Sequence, residues 1–314
     1  MSLGAEGRTR PRLLYGVVLV GLCLGIAYAF PQASSQKTFD TPEQAAEALI
    51  VAAEQYDVQA LKEILGPDGV DLVVTEDPVQ SQNQSTAFAA EARVAMRVVR
   101  DSKNQKVAFL NVGEEEWPLP ISMVEKRGKW RFDSKAGRQE ILLRRIGRNE
   151  LDAIEVCRGY DEAQNEYASE KRDASSMNQY AQRIVSTPGK HDGLAWRAPD
   201  GTWEGPVGEG IARVIAEGYS DRYEPYHGYY FKILKGQGPA APMGEMDFLV
   251  KGVMIGGFAL VAAPAEYRVT GVMTFIVSHD GIVYQKDLGP KTLEQFRAMT
   301  RYNPDPGWKP VENE

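Results

Sequence analysis

The chain has 314 residues, 43% of them hydrophobic and 25% charged, a mix that suits a globular protein with one or two buried cores and excludes disordered, collagenous and multi-span membrane classes. Asp and Glu number 43 against 36 Lys and Arg, a formal charge of -7, which without a basic patch argues against a nucleic-acid binder working by phosphate neutralisation. Only 2 Cys and 3 His are present, too few for a zinc ribbon, an iron–sulfur cluster or a histidine-rich metal centre, so no cofactor or metal is expected.

At the start, Arg8, Arg10 and Arg12 precede an apolar run from Leu13 to Leu24, and Ala27-Tyr28-Ala29 is an A-x-A cleavage pattern. This reads as an export signal over residues 1–29, cleaved after Ala29, which places the rest in the periplasm or outside the cell. An uncleaved anchor is the alternative, because residues 13–30 are about long enough to span a bilayer. Leu22 ahead of Cys23 argues against a lipidation box. Cleavage leaves 33 basic and 42 acidic residues, about -9 in net charge, with Cys157 as the one cysteine and therefore no internal disulfide. Cys157 lies in the helical pattern from Ile154 to Tyr160 and reads as a small buried hydrophobe, with a reactive thiol as the alternative.

Residues 30–37 form a polar linker. Asp40-Thr41-Pro42-Glu43 then supplies a cap, an early proline and first-turn acid, and so predicts a helix start. Ala45, Ala46, Leu49, Ile50 and Ala53 keep the helical period, and Val58, Leu61, Ile64 and Leu65 repeat it up to Gly66-Pro67, giving a helical hairpin. A third, short helix near Phe88 follows. Strands are expected at residues 106–112, 121–126 and 129–133, the last two joined at Arg127-Gly128 as a β-hairpin. This order, closing with Val124 through Trp130 to Asp133, resembles the cone-shaped nuclear-transport-factor-2-like domains. The resemblance implies a curved sheet wrapped with a helix around an apolar pocket, over residues 38–135.

Residues 136–172 predict a helical connector with a break near Gly147, because Ile141, Leu142, Ile146, Leu151, Ile154 and Val156 recur at helical spacing. Residues 173–314 predict strands at 228–234, 258–262, 272–277 and 282–286, three or four of them antiparallel around a second core, the last pair joined by Ser278-His279-Asp280-Gly281. A helix carrying Glu166-Tyr167-Ala168, then Gly228-Tyr229-Tyr230-Phe231 and this closing sheet resembles the globular part of bacterial pilins and pseudopilins. The pilin assembly helix is missing from its usual place. The fold class expected is α+β, with an N-terminal cone-like helix-plus-curved-sheet domain, a helical connector and a C-terminal pilin-like antiparallel sheet domain.

Across its length the chain is similar to the bacterial exported family catalogued as domain of unknown function 2950. Trp117-Pro118-Leu119-Pro120, Arg144-Arg145-Ile146-Gly147-Arg148, Ser186-Thr187-Pro188-Gly189-Lys190-His191-Asp192-Gly193 and Tyr226-His227-Gly228-Tyr229-Tyr230 carry the likeness, which runs from about residue 37 to residue 311. It implies no activity. Chains of this kind often have an Asp/Gly-rich turn before the Tyr-Ala-Gln segment, suggestive of a cation loop. Here the turn is Arg172-Asp173-Ala174-Ser175-Ser176-Met177-Asn178, whose single carboxylate is too little for calcium.

One constellation carries candidate acid–base chemistry: His191 and Asp192 in a loop, together with His227. The alternative is a turn whose Asp and Gly serve the backbone. His279-Asp280-Gly281 reads as a hairpin turn, and Glu114-Glu115-Glu116 as a solvated loop. Trp196, Trp203, Tyr226, Tyr229 and Tyr230, with Tyr219 and Tyr223, form either a ligand or partner surface or the packing of a strand-poor domain. No G-x-S-x-G elbow, H-E-x-x-H, phosphate loop or dinucleotide fingerprint occurs. The role expected is non-enzymatic binding or scaffolding in the cell envelope, toward a protein or glycan partner, without nucleic acid and without membrane contact after cleavage. Its rival is an envelope hydrolase or metal-dependent enzyme using His191, Asp192 and His227, which requires those side chains to share one cleft. A purely structural module is the third reading. Oligomeric state does not follow from the sequence.

Overall fold

In the computed structural model, which describes residues 36–72, 78–172, 175–207 and 225–312, the first helix begins where its cap predicts. Thr41 is extended (φ -133°, ψ 157°), its side chain accepts the Gln44 amide, and Pro42 opens α1 (Pro42–Glu54). Asp57 caps α2 (Val58–Leu65) in the same way through the Ala60 amide. The third helix, α3 (Pro78–Val94), runs 17 residues and is longer than the short element expected near Phe88. The export segment lies outside the described residues.

Five strands follow: β1 (Met96–Arg100), β2 (Val107–Val112), β3 (Trp117–Pro118), β4 (Met123–Lys126) and β5 (Lys129–Phe132). They form an antiparallel sheet in the order β1-β2-β4-β5, with β3 also on β2. The β4–β5 hairpin turns on Arg127 and Gly128, both at positive φ (55° and 76°), the geometry that matches the right-handed strand twist. Alternation puts Ala108, Leu110, Met123, Trp130 and Phe132 on the inner face, where they bury against Leu49, Ile50, Leu61 and Ile64. Each of these large side chains contributes about 1.5–3 kcal/mol of apolar transfer.

Helix α4 (Ser134–Ala168) is continuous over 35 residues, about 52 Å, and the expected break at Gly147 is absent. An isolated glycine weakens a helix without ending it. The helix also starts two residues earlier than the connector drawn from sequence, since Asp133 caps it by accepting the Ala136 amide. Its first turns belong to the first core: the Ser134 hydroxyl donates to Leu65 O at 2.7 Å, and Arg138 pairs with Asp71. Gly137 packs so closely that a Cβ there would sit 2.7 Å from Ile121 Cγ1. Further along, Ala153, Ile154, Cys157, Tyr160, Ala163 and Tyr167 point into the second core.

That core is built on a second antiparallel sheet, of five strands. A small hairpin precedes it, β6 (Trp196–Arg197) with β7 (Trp203–Glu204). The sheet strands are β8 (Tyr229–Leu234), β13 (Ala259–Pro264), β14 (Met273–Ser278), β15 (Tyr284–Asp287) and β16 (Lys309–Pro310). Between β8 and β13 run the short strands β9 (Gly236–Gln237), β10 (Met246–Asp247), β11 (Leu249–Val250) and β12 (Val253–Met254). Strand β13 is buried at every position, and α4 packs on β13 and β14 while α5 (Thr292–Ala298) also touches β13. Five strands, rather than three or four, therefore make the second sheet. The α+β class holds for the whole.

Candidate functional site

Helix α4 sets the geometry of the second half. Glu150 accepts the Val272 and Met273 amides (2.8 and 3.0 Å), and the Asn149 amide donates to Thr270 O, which fixes the start of β14 against the helix. At the far end Gln164 holds the Ala181 backbone from both sides, accepting its N–H and donating to its carbonyl, each at 2.8 Å.

His227 sits between these two fixings. With Gly228 it makes a two-residue turn, both at positive φ (45° and 75°), closed by reciprocal Tyr226 and Tyr229 backbone hydrogen bonds of 2.9 and 2.8 Å. A histidine in that region is uncommon and is held by its surroundings. Here the Nδ1 atom bonds Asp152 Oδ2 on α4, and the Tyr226 ring stacks on the imidazole at 4.1 Å. Burial, followed by the nearby Asp152 and Glu155 carboxylates, raises the Tyr226 phenol above its usual range.

His191 lies elsewhere. Its backbone oxygen accepts the Tyr167 hydroxyl, and its exposed ring meets Trp196 edge-on at 4.7 Å. Tyr167 and Asp152 are about four turns apart on one continuous helix, so the residues that anchor the two histidine loops are separated by roughly 22 Å along its axis. Asp192 turns away from both. It accepts the Thr187 amide and hydroxyl at 2.7 and 2.8 Å and lies 3.8 Å from Arg183. Partial burial pushes its carboxyl up, but Thr187 and Arg183 outweigh that and hold it below the ordinary value. His191, Asp192 and His227 are thus not brought together.

The aromatic residues are dispersed as well. Trp196 is buried beneath the Arg172 guanidinium, which also lies over Tyr167, and Trp203 carries Arg197 at 4.7 Å. Tyr229 is buried with its hydroxyl on Met273 O, and Tyr230 stacks on Phe296. Tyr219 and Tyr223 fall outside the described residues. At the other turn, Asp280 accepts from Ser278, Tyr302 and the Ile282 amide, the geometry of a closed hairpin connection. His279 packs on the edges of Phe248 and Phe258, and its Nδ1 is buried without a hydrogen bond among the described residues.

A trough runs along α4, lined by neither histidine. Tyr160 and Ala163 of the helix, Phe231 of β8 and Leu260 of β13 form its floor, and Ile184, Leu194 and Val207 its far wall, around about 190 Å³. Tyr226 adjoins it through Phe231, at a ring separation of 6.5 Å. Past Val207 the chain lies outside the described residues. A second cavity, about 200 Å³, opens in the first half between α1, α3 and Ile141 of α4, with Ser81, Gln84 and Ser85 on its wall.

A family model, protein of unknown function DUF2950, matches residues 36–311. The chain belongs to that family. No curated protein and no solved structure matches it. The matched residues include both sheets and the whole of α4. Within this DUF2950 chain the described residues hold no group of three or more His, Cys, Asp or Glu arranged for a metal ion, and no described helix is long and apolar enough to cross a membrane.

Sequence reading missed Asp152, because only the apolar period of α4 was informative there and its partner lies 75 residues on. It also missed the trough, whose one local signal is Gly159, a mid-helix glycine where an added Cβ would meet nothing within 4 Å. Cys157 is fully buried, and burial pushes its thiol up to about 12, as the buried-hydrophobe reading requires.

Proposed function

We propose that this DUF2950 chain is an exported protein of the cell envelope that binds or scaffolds another molecule. The observation that carries the reading is the cavity beside α4, about 190 Å³, lined by apolar side chains of the second core and by the exposed Glu162 and Glu166. Export rests on the basic and apolar pattern of residues 1–29.

Gly159→Cys tests it, because the buried Cys157 leaves the new residue as the reactive thiol of the mature chain. Maleimide labelling at position 159 should be slower in intact envelopes than in purified protein. Equal rates would count against occupancy of the trough. N-terminal sequencing of the same material should begin at Phe30, and an intact Met1 would favour the anchor reading instead.

One observation favours a second reading. Asp152 orients His227 through Nδ1 as a carboxylate orients a general base, so the enzymatic rival now rests on His227 and Asp152, without His191 or Asp192. Loss of p-nitrophenyl ester hydrolysis in His227→Asn would support it, and absence of hydrolysis in the parent chain would remove it.

A further inference from the structure

Helix α4 carries its charge in two blocks. Residues 134–148 hold five basic side chains and one acidic, whereas residues 149–168 hold six acidic and one basic. That order is the reverse of what the helix dipole favours, with Lys135 in the first turn and Glu166 in the last, so within one molecule it costs a little stability. On the outward side of the same helix Leu143 is 53% and Leu151 64% exposed, and between them an added Cβ on Gly147 would meet nothing within 4 Å. The three recur four residues apart and so form one stripe. A single exposed leucine is ordinary, but two that flank an open glycine make a seat for another helix. Arg144 and Glu155, both exposed, border the stripe toward its two ends. Arg144 is steadied there by Glu140 at 2.8 Å and by Pro118 O at 2.7 Å.

We propose that this stripe docks on the same stripe of a second copy of the chain, the two α4 helices running antiparallel about a two-fold axis near Asn149. Charge complementarity selects that occupant. In an antiparallel pair the basic block of each helix faces the acidic block of the other, Arg144 meets the partner's Glu155, and Leu151 sits over the partner's Gly147. A parallel pair would set like charges against each other. Arg144 and Glu155 are eleven residues apart, about 16 Å along one helix, so they meet only between copies. A contact carried by one helix face belongs to the small class of interfaces, with a dissociation constant of micromolar order. The inference makes no use of the trough and goes beyond the binding reading by naming a partner, the chain itself.

Sedimentation velocity of the mature chain at low salt, from about 5 to about 200 μM, tests it. The parent should pass from monomer to dimer over that range. Arg144→Glu and Glu155→Arg should each weaken the dimer by about tenfold or more, because each sets like charges together at both ends of the two-fold contact. An equimolar mixture of those two variants should restore the dimer, since Glu at 144 of one copy then meets Arg at 155 of the other and the native pair forms at the opposite end. Leu151→Glu replaces an exposed side chain, should leave Tm unchanged and should give a monomer at every concentration, which keeps the test decisive if a charge variant folds poorly. A parent that stays monomeric at about 200 μM overturns the proposal. So does a dimer that survives Leu151→Glu, because it forms through another face, and so does a mixture of the two charge variants that stays monomeric while the parent dimerises, because the helices then do not run antiparallel. Labelling of Gly159→Cys in envelopes decides the binding reading separately.

Discussion

Asp152 and His227 meet across 75 residues of sequence, joining the middle of α4 to the turn that opens β8. The carboxylate holds one ring nitrogen, the Tyr226 ring covers one face, and the imidazole remains half exposed. The pair ties a turn with two successive positive φ angles to the longest helix of the fold.

A double-mutant cycle measures that tie. Asp152→Asn and His227→Asn keep shape, and asparagine tolerates the left-handed backbone at position 227. A coupling energy of about 0.5–1 kcal/mol is expected in urea unfolding, the range of a partly exposed ion pair. Additive single effects would mean that the pair does not form in solution.

Asp161 gives a pH prediction. Burial first, then repulsion from Asp280 and Glu162, raises its carboxyl above the ordinary value, against the opposing Asn165 hydrogen bond and His279. The folded state therefore binds this proton more tightly than the unfolded state. The contribution to stability is present below the unfolded carboxyl range and is lost as pH rises through the folded pKa. Asp161→Asn should raise Tm at about pH 7, with a gain that shrinks toward about pH 4. A gain that grew in acid would reverse the assignment.

Two glycines of α4 should respond in opposite directions. Gly147→Ala meets open space and should add about 0.5–1 kcal/mol by restricting the unfolded chain. Gly137→Ala puts a Cβ 2.7 Å from Ile121 Cγ1 and 3.0 Å from its Cα, and should cost about 1–3 kcal/mol. Urea midpoints of the two variants, compared with the parent, check both signs.

Cys157 should resist maleimide in the native mature chain at about pH 8 and label at once in urea, because its thiol is pushed up to about 12 and is fully buried. Native labelling at the rate of a free thiol would contradict the packing of α4 on the second sheet.

Local chemistry was legible in the sequence and long-range pairing was not. The Thr41 cap with Pro42, the Gly66 stop and the Arg127-Gly128 hairpin each depend on neighbouring residues, and each lies where the sequence puts it. Strand β1 escaped notice because Met-Arg-Val-Val-Arg is half exposed and short, and its pairing with β2 supplies what its pattern lacks. Gly147 was overread, since tertiary packing at both ends of α4 carries the helix past a weak position. At the candidate site the histidines were found, but not their partners. Asp192 is adjacent to His191 and yet bonds Thr187, whereas His227 takes a carboxylate from a helix in which only apolar spacing had been read.

Because α4 begins packed against one hydrophobic cluster, with Gly137 on Ile121, and ends inside the other, a cut between the two sheets falls in helix rather than in a linker. A cut before Ser134 strips the first half of the hydroxyl on Leu65 O and the glycine seated on Ile121, while a cut after Ile146 leaves the second half hanging on a frayed helix end. The two halves should melt in one transition rather than two, and neither is free to be exchanged for a foreign domain without taking half of the same rod with it.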